Sequence, residues 1–182
     1  GDAWFYLGMT QKSVKNLADA LNSFTKVTEI IPEKSAAWTE LASTYEMLDD
    51  EEKQLETLRT ALTISPNSSN LNYSIGRLLY DHGQTAESLP YLKSAAKLSP
   101  ESPEIALQLV ESMSELGFQE EASQFLAEAS GKWPHEKELS FLQAKSLHSI
   151  GRVDEAQKNL EAILKSDEVK ASWLIEYAKV LK

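Results

Sequence analysis

The feature that most constrains this chain is a 34-residue interval between four prolines, which are Pro32, Pro66, Pro100 and Pro134. The same interval separates three glycines, which are Gly83, Gly117 and Gly151. Because proline and glycine have different backbone roles, a period that both residue types share indicates an internal repeat. The register divides the chain into segments 1–34, 35–68, 69–102, 103–136 and 137–170, followed by 171–182.

Within each segment, apolar and small residues recur at intervals of three and four positions, which is the spacing of one face of an α-helix. The first segment has one such stripe at Trp4, Leu7 and Gly8, and a second stripe that begins with Ala20 and Phe24. A periodic glycine between the two stripes suits a left-handed helix cap, and a proline after the second stripe stops the helix. Each segment is therefore predicted to be a helical hairpin.

This pattern resembles the tetratricopeptide repeat, a 34-residue hairpin with tryptophan, leucine-glycine and tyrosine on its first helix and alanine, phenylalanine, alanine and proline thereafter. The matching residues are Trp4, Leu7, Gly8, Ala20, Phe24 and Pro32, then Trp38, Leu41, Tyr45, Ala61 and Pro66, and then Gly76, Gly83, Ala95 and Pro100. The resemblance implies an all-α fold, an α-solenoid of five helix-turn-helix repeats that forms one right-handed superhelical domain. Residues 171–182 are predicted to pack on the fifth hairpin through Leu174, Tyr177, Ala178 and Leu181, as a capping helix or the first helix of a sixth repeat.

Departures from the repeat pattern give local predictions. Asp49 replaces the turn glycine of the second segment and Gln54 replaces a small alanine, which predicts a looser second hairpin. Pro90 lies near the start of a second helix. Because a proline in a helix interior costs ~3 kcal/mol, this helix is predicted to begin late or to be kinked. Glu168 stands where a further periodic proline would be.

Composition argues against several classes of function. The formal net charge is −10, so a phosphate backbone is repelled and nucleic acid is not an expected partner. Cysteine is absent, so disulfides and cysteine-ligated metals are excluded. No apolar run approaches the roughly 20 residues that cross a bilayer, so membrane insertion is not expected. Without a catalytic motif, a phosphate-binding glycine loop or a histidine pair at metal-ligand spacing, we expect no enzyme activity, cofactor or metal. The compartment stays open, with the cytoplasm slightly favoured, and the start at Gly1 suggests a fragment of a larger protein.

The resemblance also implies a concave groove lined by the first helix of each hairpin. Repeat position five contributes Phe5, Thr39, Tyr73, Leu107 and Phe141, of which four are large and apolar or aromatic. Repeat position nine contributes Met9, Ser43, Arg77, Glu111 and Lys145. Exposed apolar side chains of this kind often mark an interaction site. The alternative is that the position-five residues pack against neighbouring hairpins or the ends of the chain.

We therefore interpret the chain as a non-catalytic adaptor whose groove binds a peptide or helix of a partner protein. One branch of the family holds a C-terminal carboxylate with lysines and asparagines on this face, but Phe5 and Met9 stand where the first such pair would be. The expected partner is instead apolar with some basic character. Two alternatives stay open, namely a module that self-assembles into a homo-oligomer by stacking its exposed ends and a regulatory arm of a larger enzyme.

Overall fold

A computed structural model describes residues 1–133, 135–165 and 169–181 of the chain. These residues form eleven helices and no strand, which confirms the all-α fold. The helices are α1 Asp2–Ser13, α2 Leu17–Ile30, α3 Ser35–Glu46, α4 Glu51–Ile64, α5 Ser69–Asp81, α6 Thr85–Leu98, α7 Pro103–Glu115, α8 Gln119–Lys132, α9 Lys137–Ser149, α10 Val153–Leu164 and α11 Ala171–Val180. Pro134 and Glu168, which entered the sequence argument, lie outside the described residues.

The helices fall into two compact units. Unit 1, Gly1–Leu98, contains three hairpins, in which α1 pairs with α2, α3 with α4 and α5 with α6. Unit 2, Ser99–Lys182, contains the hairpins α7 with α8 and α9 with α10, and α11 packs against α10 and α9. Within each unit, consecutive hairpins stack on one another, which is the solenoid arrangement.

Close packing inside the hairpins of unit 1 depends on small residues opposite large ones. A Cβ atom added at Gly8 would lie 2.8 Å from Cε1 of Phe24, so only glycine leaves room for this fully buried ring. Gly76 has the same relationship to Leu92, at 2.7 Å. Trp38 then joins the first hairpin to the second, because its indole Nε1 donates a hydrogen bond of 2.8 Å to the carbonyl of Pro32. Small residues opposite large ones therefore set the distance between the paired helices of these hairpins.

The five hairpin turns share one backbone geometry, with a positive φ at Lys15, Asp49, Gly83, Gly117 and Gly151. In the second hairpin, Asp49 N–H donates to the carbonyl of Glu46 at 3.1 Å and Asp50 N–H donates to that of Tyr45, also at 3.1 Å. Equivalent bonds close the third turn at 2.8 Å each. The prediction of a looser second hairpin is therefore wrong at the turn, because aspartate tolerates the left-handed conformation well enough to make the same bonds.

Helix α6 is continuous from Thr85 to Leu98 with Pro90 inside it, so the prediction that it begins late is wrong. Pro90 and Ala86, whose carbonyl would accept the missing hydrogen bond, are both exposed. Because water can solvate that carbonyl, the helix starts at Thr85 despite the proline. A bend at Pro90 within this continuous helix stays a prediction.

Helix α11 packs on the α9–α10 hairpin through a face that shares only Tyr177 with the predicted stripe. Tyr177 packs against the core of unit 2, and its hydroxyl donates a 3.0 Å hydrogen bond to Oε1 of Glu161. Trp173 and Val180 join the hydrophobic core of unit 2, at 2% and 5% exposure. Leu174 and Leu181, which were expected to pack, are 54% and 56% exposed. In the preceding hairpins the corresponding stripe packs on the second helix of the same hairpin, and the described residues contain no such helix for α11.

Candidate functional site

Helices α3 and α5 border a cleft in unit 1 with a volume of about 390 Å³. Three of the predicted groove residues line this cleft, Thr39 and Ser43 from α3 and Arg77 from α5. They come together because the first helices of neighbouring hairpins lie side by side, so that repeat positions five and nine lie on the same face. The structure therefore brings these three residues into one concave site.

The turn and second helix of the second hairpin complete the cleft. Ala42 and Leu58, which are 1% and 4% exposed, form an apolar floor. The polar wall includes Glu46, Asp49, Glu51, Gln54, Asp81 and His82. Asp49 and Gln54 were not predicted to belong to a site, although both depart from the repeat pattern. Those departures were the available signal.

Two of the acidic side chains in the cleft already have partners. Arg77 Nη2 lies 3.1 Å from Oε1 of Glu46, an ion pair between α5 and α3. The His82 ring contacts the carbonyl of Leu78 through Nδ1 at 2.5 Å and the carboxylate of Glu51 through Nε2. These contacts, with the Leu78 carbonyl as the larger cause, raise the pKa of His82 above its ordinary value of 6.5. The cleft is therefore acidic, with one guanidinium and one imidazole among four carboxylates.

Beside this cleft, the first-helix face extends towards α1. Lys12 Nζ lies 2.8 Å from Oε2 of Glu40 and donates a 2.8 Å hydrogen bond to the Ser43 hydroxyl. Phe5 is half-buried, because its ring packs edge-on against Phe24 at a centroid distance of 5.9 Å. Met9 is 40% exposed, so this end of the face offers an accessible thioether.

The remaining position-five residues differ in their exposure. Tyr73 in unit 1 and Leu107 in unit 2 are half-buried, and neither is a fully accessible anchor. Phe141 is 9% exposed and lies in the core of unit 2, with its ring centroid 6.3 Å from that of Trp173. The expectation that Phe141 is available to a partner is wrong in this structure, because the large Trp173 side chain of α11 covers it. Of the position-nine residues of unit 2, Glu111 and Lys145 are both exposed.

Within residues 1–133, 135–165 and 169–181, no group of three or more histidine or acidic side chains is arranged to hold a metal ion. No helix in that part of the chain is both long and apolar enough to cross a membrane.

Comparison with known proteins bears on this architecture. Tetratricopeptide repeat family profiles match residues 35–68 and residues 79–132. No curated protein sequence matches the chain significantly.

Solved structures with the same fold include YrrB, a TPR protein with an unusual peptide-binding site, at a TM-score of 0.81 and 18% identity over 97% of this chain and 90% of YrrB. MamA has a TM-score of 0.76 at 16% identity, covering 94% of this chain and 96% of MamA. PilF of Pseudomonas aeruginosa has a TM-score of 0.74 at 18% identity, covering 98% of this chain and 82% of PilF. At these identities the likeness shows the fold alone. The chain therefore contains recognisable tetratricopeptide repeats at residues 35–68 and 79–132, and its described hairpins share the fold of these proteins.

Proposed function

We propose that this chain is a non-catalytic protein-binding adaptor and that the α3–α5 cleft of unit 1 binds a segment of a partner protein. The observation that carries the proposal is the cleft itself, in which Thr39, Ser43 and Arg77 line a concave space of about 390 Å³. An apolar floor with a polar wall is typical of sites that bind peptide side chains. Tetratricopeptide repeats are also generally interaction modules rather than enzymes, and YrrB is one that has a peptide-binding site.

The charge of the cleft argues against recognition of a free C-terminal carboxylate. Its four carboxylates would repel a further one at close range, and Arg77 is already paired with Glu46. An extended or helical segment with apolar and basic side chains suits the site better. The net charge of −10 favours the approach of such a segment over long distances.

A pair of tryptophan substitutions tests this proposal. Thr39 is exposed within the cleft, so Thr39→Trp fills the space without disturbing the core. Thr63 is exposed on α4 and does not line the cleft, so Thr63→Trp adds the same bulk elsewhere. We expect random heptapeptides that bind the wild type to bind Thr63→Trp equally well and Thr39→Trp at least about tenfold more weakly. Failure of the wild type to bind any peptide, or equal binding to both variants, would contradict the proposal.

Self-association is a second candidate function, which exposed apolar residues on α1 and α11 favour. Trp4 and Leu7 on α1 are 42% and 43% exposed. Leu174 and Ile175 on α11 and Leu181 at its C-terminal cap are each more than half exposed. Apolar stripes of this kind are buried when helices stack. In this alternative, the ends of two copies of the chain pack together.

A further inference from the structure

One residue of the cleft is at odds with the packing around it. Gln54 occupies a repeat position where every other segment has a small residue, namely Ala20, Ser88, Ala122 and Ala156, and all four of these are 0% exposed. Gln54 itself is 7% exposed, so a long amide side chain is buried where an alanine would suffice. Within the described residues, no hydrogen bond joins its amide group to a neighbour, and neither amide atom is fully shielded from solvent. A mostly buried side chain whose amide end stays open to the cleft calls for an explanation.

The explanation lies in where the side chain is buried. Gln54 lines the cleft, beside the apolar floor made by Ala42 and Leu58. Its amide thus places a hydrogen-bond acceptor and donor next to the apolar floor of the cleft. A bound group that reaches the floor would find this amide unoccupied.

The carboxylates of the cleft indicate the charge of that group. Glu46 and Glu51 are paired with Arg77 and His82. Asp49 and Asp81 line the same cleft, and neither forms a close ion pair within the described residues, although the charge of Asp81 contributes to the raised pKa of His82. Two unpaired carboxylates near an unpaired amide acceptor favour a cation that can also donate hydrogen bonds.

We propose that the cleft takes up a basic side chain of the bound segment, arginine in preference to lysine, with Gln54, Asp49 and Asp81 as its recognition residues. This inference rests on the proposed function and specifies what the cleft selects. The aliphatic stem of the basic side chain packs on Ala42 and Leu58, and its charged head reaches the carboxylates. Arginine is preferred because a guanidinium can donate to the Gln54 oxygen and to a carboxylate at the same time.

Peptides of matched shape test the preference. Heptapeptides with random flanks and a fixed central arginine, lysine, citrulline or leucine are measured by calorimetry against the full chain. Citrulline keeps the shape of arginine and removes its charge. We expect the arginine peptides to bind about tenfold more tightly than the citrulline peptides, with lysine between them.

Single substitutions then assign the effect to residues. Gln54→Leu keeps the volume of the side chain and removes the amide, and Asp49→Asn keeps a residue that tolerates a positive φ. Asp81→Asn removes the second carboxylate. Asp49→Asn and Asp81→Asn are each expected to reduce the arginine-over-citrulline ratio by on the order of fivefold. Gln54→Leu is expected to reduce the arginine-over-leucine ratio by a similar factor, because citrulline can also donate to the Gln54 oxygen. Glu56→Gln, at an exposed site on the same helix as Gln54 and outside the cleft, should leave both ratios unchanged.

The outcomes separate the two proposals. Peptides that bind the cleft, as shown by loss of binding in Thr39→Trp, but without preference for a central arginine would overturn this inference and leave the adaptor proposal standing. An arginine preference that survives Gln54→Leu, Asp49→Asn and Asp81→Asn would also overturn it. If no peptide binds the wild type, the proposed function fails, and this inference fails with it.

Discussion

The Nδ1 atom of His148 lies 2.8 Å from Oε1 of Glu176, a contact that ties α11 to α9. The Glu176 carboxylate also accepts a 3.1 Å hydrogen bond from Lys179 Nζ. Glu176 is only 6% exposed. Burial acts to raise the pKa of Glu176, but the hydrogen bonds from His148 and Lys179 outweigh it and hold the pKa below its ordinary value of 4.5. The ionised form of Glu176 therefore contributes to the packing of α11, together with the buried side chains of Trp173 and Val180.

This arrangement predicts that α11 is released by acid. A carboxylate with a lowered folded-state pKa stabilises the fold above its unfolded pKa, and this contribution is lost as the pH falls through the folded value. The protection factors of α11 amides, which are exchange rates corrected for the intrinsic effect of pH, should therefore fall below about pH 4.5. Glu176→Ala should destabilise unit 2 by about 2 kcal/mol at neutral pH, because His148 and Lys179 lose their acceptor.

The matched control is Glu155→Ala, which breaks an exposed pair with Arg152. Since exposed ion pairs contribute ~0–1 kcal/mol, this variant should differ little from the wild type. Equal effects of the two substitutions would show that the Glu176 contacts do not hold α11.

In unit 1, the His82–Glu51 pair predicts the opposite pH dependence. The pKa of His82 is raised by its contact with the Leu78 carbonyl and then by Glu51, so the folded state binds a proton more tightly than the unfolded state. This stabilisation is fully present below pH 6.5 and is lost as the pH rises through the raised folded value. The urea midpoint of the wild type should decline across that interval.

The decline should be smaller in His82→Gln, which cannot take up the proton. His135→Gln, which removes an exposed histidine of unit 2, should keep the wild-type decline. A midpoint with the same pH profile in His82→Gln and the wild type would rule out His82 as its source.

The backbone geometry predicts that replacing glycine with alanine changes the free energy of unfolding in opposite directions at two sites, Gly83 and Gly131. Gly83 has a φ of +72° and no atom within 4 Å of an added Cβ, so Gly83→Ala should destabilise the chain through backbone strain alone, by about 1 kcal/mol. Gly131 also has no atom within 4 Å of an added Cβ, but it lies in helix α8 and does not have a positive φ. Gly131→Ala should therefore stabilise the chain by up to about 0.5 kcal/mol.

Lys15 offers the reverse experiment, because its φ is +60°. Lys15→Gly should stabilise the first hairpin by about 1 kcal/mol. Thermal or urea unfolding of these three variants checks the signs. Destabilisation by Lys15→Gly would mean that the lysine side chain contributes more than its backbone strain costs.

Self-association through the exposed α11 stripe predicts a concentration-dependent oligomer. Leu181 is 56% exposed, so Leu181→Glu should abolish the oligomer by placing a charge in the stacked surface. Leu48→Glu, at a 43% exposed leucine after α3, should leave it intact. Sedimentation velocity at several concentrations distinguishes these cases, and a wild type that remains monomeric throughout would remove this candidate.

Site residues that are placed by their repeat position could be predicted from the sequence, whereas residues whose surroundings come from another part of the fold could not. Thr39, Ser43 and Arg77 line one cleft because repeat position determines which face of a first helix a residue occupies. Gln54 was recognisable only as an anomaly, because its role depends on a space enclosed by another hairpin. Phe141 holds the same repeat position as Thr39, yet it is buried by Trp173, a residue 32 positions away in the sequence.

The sequence by itself determined the all-α hairpin architecture of this protein. Its signals are local: helical spacing of apolar residues, prolines that stop helices, and glycines that permit a left-handed turn. Tertiary structure alone decided that Asp49 and Lys15 adopt the same turn, that α6 runs through Pro90, and which face of α11 is buried. The physical reason is that strain, solvation and exposure depend on what packs beside a residue, and those neighbours belong to other hairpins.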